Sequence, residues 1–327
     1  MVEDCYPMNS QFLRDSGGSL VLHGGTGGIT AMCSCGEFLE IYKEDVTFRI
    51  KTPESIDPDR TNPNAPVVAS VSDRVGSSSL AVARILLQSR DIIEAAILPP
   101  EVNKQAVIQE LHACKECLVA CEKAARAVST SVDKIIDDVE TNGIKRDSGG
   151  RALNPFPQVL DLDDNATAFL VNAKRAIRAI CRLPSIVLSV PDKDNNFDAL
   201  ANTLAEAVGP EAPVTRFVRD NAERVRHFIE LRNWQEHPGK KRTIIENFGV
   251  APNGSIKVPM WHVSGESRQR IREDMLASQD FLVQVGEAML IHLVLHAADK
   301  RIPFTIVEVK SPSPALPIRY RLSVDVT

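Results

Sequence analysis

From about Ser77 to Ala298 the apolar residues recur mostly every three or four positions, the period of helices that bury one face. Toward both ends of the chain they alternate with polar residues, the period of strands. Leu80, Val82, Ala83, Leu86, Leu87, Ile92, Ile93, Ala96 and Ile97 predict one amphipathic helix, stopped by Pro99-Pro100. Val107, Ile108, Leu111, Leu118, Ala125, Val128, Val132, Ile135 and Ile136 predict a longer helix over 101–139, so the two form a helical hairpin. Further helices are expected over 166–183 (ended by Pro184), 196–208, 213–236 and 267–298. Short strands are expected at 20–23 and 29–33 around the Gly24–Gly28 cluster, and one or two within 38–51. Others are expected at 186–190, at 243–248 and 256–263 around Pro252-Asn253-Gly254, and at 302–309 and 318–326. Residues 52–66, with several Pro, Asp and Asn, read as loop, and residues 1–18 as polar and loose.

The pattern gives a mainly α protein with added β, an α+β class. It divides into a β-rich region (1–66), a helical hairpin (67–150), a helical bundle interrupted by a β-hairpin at 241–264 (151–300), and C-terminal strands (301–327). Asn142-Gly143 and Asp147–Gly150 mark the best boundary. The terminal strands are expected to pair with the N-terminal ones.

Charge changes this picture only locally. A net charge of −5 gives no overall attraction to nucleic acid or anionic lipid. Between Pro213 and Arg242, however, eight Lys/Arg face four Asp/Glu. No apolar run reaches the length of a membrane span, and the first residues lack a signal-peptide pattern. Seven cysteines, an odd number in apolar or helical contexts, point to a reducing cytoplasm.

Candidate chemistry concentrates at the end of the 213–236 helix, in Arg232-Asn233-Trp234-Gln235-Glu236-His237-Pro238. The stripe Val214, Phe217, Val218, Val225, Phe228, Ile229 continues to Arg232, a charge where an apolar residue is expected. Asn233 and His237 are four apart and share a face. Pro238 sets His237 at the helix C-terminus. A forked guanidinium beside a titratable imidazole suits phosphodiester chemistry. The plainer alternative is a helical Arg232–Glu236 salt bridge and a histidine that caps the helix.

This segment resembles the signature of the HEPN superfamily, small helical bundles carrying Arg, a polar residue, a few residues, then His. The resemblance covers about residues 160–300, with Lys174-Arg175 on the expected first long helix and 267–298 as the expected last; the 243–263 hairpin is an elaboration. It implies a metal-independent endoribonuclease acting as a homodimer on RNA. Arg232 would hold the scissile phosphate, His237 would act as general acid or base, and Asn233 would orient the histidine or contact phosphate. The product would be a 2′,3′-cyclic phosphate. It also implies a toxin or defence effector held by an antitoxin or regulatory protein, with no cofactor, no metal and no membrane. Members that have lost activity serve as nucleotide- or RNA-binding or dimerisation scaffolds, the alternative function. Arg224, Arg226, Lys240, Lys241 and Arg242 are the expected phosphate contacts.

Other constellations are weaker. Cys114, Cys117 and Cys121 share a helix face near His112, but three thiols on a straight helix wrap a tetrahedral ion poorly, and core packing is the commoner role. Cys33-Ser34-Cys35 could add ligands from the sheet. His292 and His296, with Asp299 beyond, have zinc spacing but lack the glutamate of a zincin motif, which favours core or interface histidines. The glycine cluster lacks the Lys-Ser/Thr of a phosphate loop.

Overall fold

A computed structural model describes residues 14, 20–36, 38–146, 150 and 152–325. The loose segment expected at 1–18 therefore falls outside the described residues except for Arg14, as do 147–149 of the linker.

Alternation in the first part of the chain builds an antiparallel meander of β1 (Ala31–Cys35), β2 (Phe38–Tyr42), β3 (Thr47–Lys51) and β4 (Val68–Asp73). The first strand pairs forward with β2 across Gly36, with Cys33 opposite Glu40. Residues 20–23 form no strand, so the hairpin expected around the glycine cluster is replaced by one a turn later. Ile41, Val46, Phe48 and Ile50 make a small core of their own under this sheet. The proline-rich stretch holds a short helix, α1 (Pro53–Ile56), capped by the Thr52 side chain.

The first long helical pattern starts as a π-helical segment, Ala81–Gln88, continuous with α2 (Ser89–Ala95). A long helix, α3 (Lys104–Asn142), follows, capped by Asn103. Its partner, α4 (Leu162–Leu188), runs antiparallel to it: Cys114 Sγ faces the Ala176 carbonyl at 3.8 Å, and Cys121 Sγ the Phe169 carbonyl at 3.5 Å. Small residues on both sides (Cys114, Cys121, Ala124, Ala125; Ala166, Ala173, Ala176) let the backbones approach. Helix α4 runs through Pro184 to Leu188, correcting the stop expected at Pro184 and the strand expected at 186–190. Pro184 and Val187 are buried, so packing outweighs the hydrogen bond that proline cannot donate.

The chain continues through α5 (Phe197–Val208), capped by Asn196, and α6 (Pro213–Glu236). The inserted hairpin forms as β5 (Thr243–Glu246), β6 (Gly249–Val250), β7 (Ile256–Lys257) and β8 (Met260–Val263), with β5 on β8 and β6 on β7; β9 (Gln269–Arg270) adds to β8. Trp261 anchors it, buried against Phe169 and donating from Nε1 to Asp274 at 2.7 Å. Helix α7 (Ile271–Ala297) closes the bundle. By length and hydropathy it is apolar enough to cross a membrane, which corrects the expectation that no segment is; half of that stretch is buried among the other helices. Finally β10 (Phe304–Glu308) and β11 (Tyr320–Val324) pair with each other, not with the N-terminal sheet as expected.

One continuous core runs from Cys33 to Val294, and α3 and α4 pack along each other on either side of the 143–161 connection. The helices on the two sides of the expected boundary at 142–150 thus share one core. The C-terminal strands dock through Gln88, whose Oε1 accepts from the Arg319 and Tyr320 amides while its Nε2 donates to Glu287 at 2.7 Å.

Two outcomes follow for stability. A Cβ at Gly76 would lie 2.2 Å from the Lys43 carbonyl oxygen and 2.5 Å from the Val46 nitrogen, backbone atoms that cannot step aside. Gly76→Ala is expected to lower unfolding free energy by about 1–3 kcal/mol, read from the urea midpoint. Burial pushes the Glu287 carboxyl above its ordinary value of 4.5, against the Gln88 hydrogen bond. A carboxyl raised in the fold costs stability as pH climbs from the unfolded value through the folded one. Glu287→Gln should therefore stabilise the protein at neutral pH relative to wild type, with the gap closing at acid pH, in denaturation curves taken across that range.

Candidate nucleic-acid interface and active site

Helix α6 buries Val214, Thr215, Val218, Ala222, Val225, Phe228 and Leu231. The stripe therefore ends on Leu231, and Arg232 lies on its flank rather than on the core side as expected. The Arg232 side chain is still only 19% exposed, because it lies in the cleft between α6 and α4. Three bonds fix this last turn. Lys174 Nζ donates to Asn233 Oδ1 at 2.9 Å, Gln235 Nε2 donates to Thr167 Oγ1 at 2.6 Å, and Thr243 Oγ1 donates to the Leu231 carbonyl at 2.6 Å. The last of these ties the start of the inserted hairpin to the last turn of the helix. His237 leaves helical geometry and closes the helix, its amide donating to the Asn233 carbonyl at 2.8 Å.

Arg232 and His237 meet on one atom. Arg232 Nη1 pairs with Glu236 Oε2, and His237 Nε2 stands 3.4 Å from the same oxygen. The expected helical salt bridge is present, and it also holds guanidinium and imidazole around a single anionic oxygen. His237 is otherwise open to solvent, its side chain 78% exposed.

Beside this pair is an open cavity of about 380 Å³ lined by Lys174, Arg175, Arg178 and Arg232, with Val171, Asp194 and Asn195. Asp194 pairs with Arg178 at 2.9 Å. Among the described residues no carboxylate lies within ion-pair distance of Lys174 or Arg175. Burial lowers the Lys174 pKa, and the neighbouring Arg232 charge lowers it further. Two cations thus share a cleft with too little negative charge, a state that an anion would relieve.

The structure places Arg232 in the cavity with Lys174, Arg175 and Arg178 from α4, while Asn233 and His237 lie beside it, Asn233 bonded to Lys174 and His237 against Glu236. It does not bring Arg224 or Arg226 into the cavity. Arg224 stacks over the Phe281 ring, 4.0 Å from its centre, and Arg226 makes a fork to Asp198 at 2.6 and 3.0 Å. Lys241 pairs with Glu266 at 3.0 Å, and Lys240 and Arg242 are exposed on the turn after the helix. The α4 cations were legible as a basic stripe at 174, 175 and 178, three to four residues apart. Asp194 and Asn195 come from a loop that carries no such signal.

The other constellations resolve differently. Cys114 and Cys121 are buried in the α3–α4 seam, where desolvation pushes both thiols far above their ordinary value. His292 packs on Phe217 at 5.0 Å and burial lowers its pKa, while Asp299 is engaged by Arg301. Comparison with known protein families, curated proteins and solved structures finds no match to this chain.

A ligand that binds only the folded state raises its stability by mass action, about 2.7 kcal/mol at a hundred times its Kd. Inorganic phosphate should therefore raise the melting temperature above that in chloride at equal ionic strength. Lys174→Ala and Arg175→Ala should each shrink that rise in a thermal-shift titration.

Proposed function

We propose that this protein is a metal-independent endoribonuclease of HEPN type that works as a homodimer on RNA. The observation that carries the reading is the convergence of Arg232 and His237 on one carboxylate oxygen beside the uncompensated Lys174 and Arg175. A phosphodiester oxygen taking the place of Glu236 Oε2 would meet the same two groups.

In this reading Arg232 binds the scissile phosphate and stabilises the charge that grows on it. His237 takes the proton from the ribose 2′-hydroxyl or gives one to the departing 5′-oxygen. The 2′-oxygen forms a bond to phosphorus as the bond to the 5′-oxygen breaks. This leaves a 2′,3′-cyclic phosphate and a 5′-hydroxyl. Asn233 is the positioning residue, since it holds Lys174 over the cleft. The cations of α4 supply the electrostatic share of RNA binding. A second copy, facing the first across α6, would cover the exposed histidine. A role as a toxin or defence effector restrained by a regulatory protein fits an activity of this kind.

A second reading, RNA or nucleotide binding without cleavage, draws on the same Arg232–Glu236 pair. That carboxylate competes with phosphate for the guanidinium in the single chain.

Incubation with mixed RNA in EDTA separates the two. Wild type is expected to cleave, leaving cyclic-phosphate ends. His237→Ala and Arg232→Ala are expected to lose about 100-fold or more in rate with unchanged far-UV circular dichroism. Glu236→Gln should tighten RNA binding in a filter assay. Tight binding with no cleavage by wild-type dimer would replace the catalytic reading with the second one.

A further inference from the structure

The N-terminal sheet meets α3 through a buried polar cluster that the proposed ribonuclease chemistry does not use. Cys35 from β1, Glu40 from β2 and His112 from α3 bring a thiol, a carboxylate oxygen and an imidazole nitrogen within 4.8 Å of one another. Glu40 is fully buried. Its Oε2 accepts from the Tyr42 hydroxyl and from Lys115 Nζ at 2.9 Å. Its Oε1 accepts from Arg49 Nε at 3.0 Å.

His112 is the informative member. Its Nε2 lies 3.1 Å from Glu40 Oε1, yet the nitrogen is buried and makes no hydrogen bond. Two ligand atoms at such a separation, with no hydrogen bond between them, match adjacent corners of a metal tetrahedron. Bonds of about 2.0–2.2 Å to nitrogen and oxygen put those corners about 3.3–3.6 Å apart, so an entering ion would part the two atoms by a few tenths of an ångström. The donor set of sulfur, nitrogen and oxygen suits a borderline-soft divalent ion. Cys33, two residues along the strand from Cys35 and on the same buried face, lies outside that trio and would reach it as a fourth donor by turning its side chain.

We propose that Cys33, Cys35, Glu40 and His112 form a structural site for a zinc-like divalent cation that ties the N-terminal sheet to α3. Charge balances as the ion enters: two thiols release two protons while one dication arrives, so the cluster's net charge is unchanged. Lys115 and Arg49 remain as outer partners that keep Glu40 ionised and aimed at the site. Cys114 and Cys121 of α3 take no part, because both face α4.

The test uses the full chain, stripped with chelator and titrated with Co²⁺ and then Zn²⁺. Wild type is expected to bind Co²⁺ stoichiometrically with thiolate-to-cobalt absorption, to lose that absorption to Zn²⁺, and to melt higher with Zn²⁺ than in EDTA. Cys35→Ser and His112→Ala should lose the absorption, and Cys117→Ser, a thiol outside the cluster, should keep it. Absence of the absorption in wild type overturns the site whatever the variants do. So does its survival in both Cys35→Ser and His112→Ala.

Discussion

The antiparallel contact of α3 with α4 is the constraint on which the rest of the molecule depends. Small residues stand on both sides of it, Cys114 and Cys121 on α3 against Ala173 and Ala176 on α4, so the two backbones lie close. That closeness leaves a groove for α7, whose Gly286 faces Ile85 and Ile180 at a point where an added Cβ would come within 2.8 Å of Ile85. The π-helical segment lies against the same groove, and the C-terminal strands hang on its last residue, Gln88. Thickening the seam would push all three layers outward at once.

The same seam decides where charge is presented. With one face of α4 committed to α3, Lys174, Arg175 and Arg178 are turned toward the end of α6. Helix α6 is held there by its own buried stripe and by the Trp261-anchored hairpin, whose Thr243 hydroxyl bonds the Leu231 carbonyl in its last turns. The inserted hairpin therefore does more than interrupt the bundle. It fixes the turn that carries Arg232, Asn233 and His237.

Periodicity made the long helices legible, because each buries a single continuous stripe; α6 matches its expected bounds and α3 nearly so. It failed where a long-range contact decides the outcome. Pro184 remains helical because the core covers it, and β1 chose β2 because Cys33 and Cys35 find cover against α3. The triad of α6 was visible as residue types at a spacing, but its geometry was misjudged by one position. Leu231 takes the buried place and Arg232 the cleft, since the stripe advances by three residues at its end. The α4 cations were visible on a helix face, but what they face is a property of packing. The Cys35–Glu40–His112 cluster joins a strand pair to a helix more than seventy residues away, and no local pattern announces such a meeting.

The exposure of His237 bears on how a site of this kind must be assembled. An imidazole that is 78% exposed is in water, where a proton shuttle gains little from its neighbours and an arginine–phosphate contact is screened. Glu236 worsens this in the single chain by neutralising Arg232. Both deficits have one remedy. A surface brought over the end of α6 would exclude water from His237, and an RNA phosphate entering beside Lys174 and Arg175 would displace the Glu236 carboxylate into solvent, already 45% exposed. Under the proposed activity, then, cover and substrate act together. Without either, the Glu236 carboxylate keeps Arg232 and His237 paired to one oxygen.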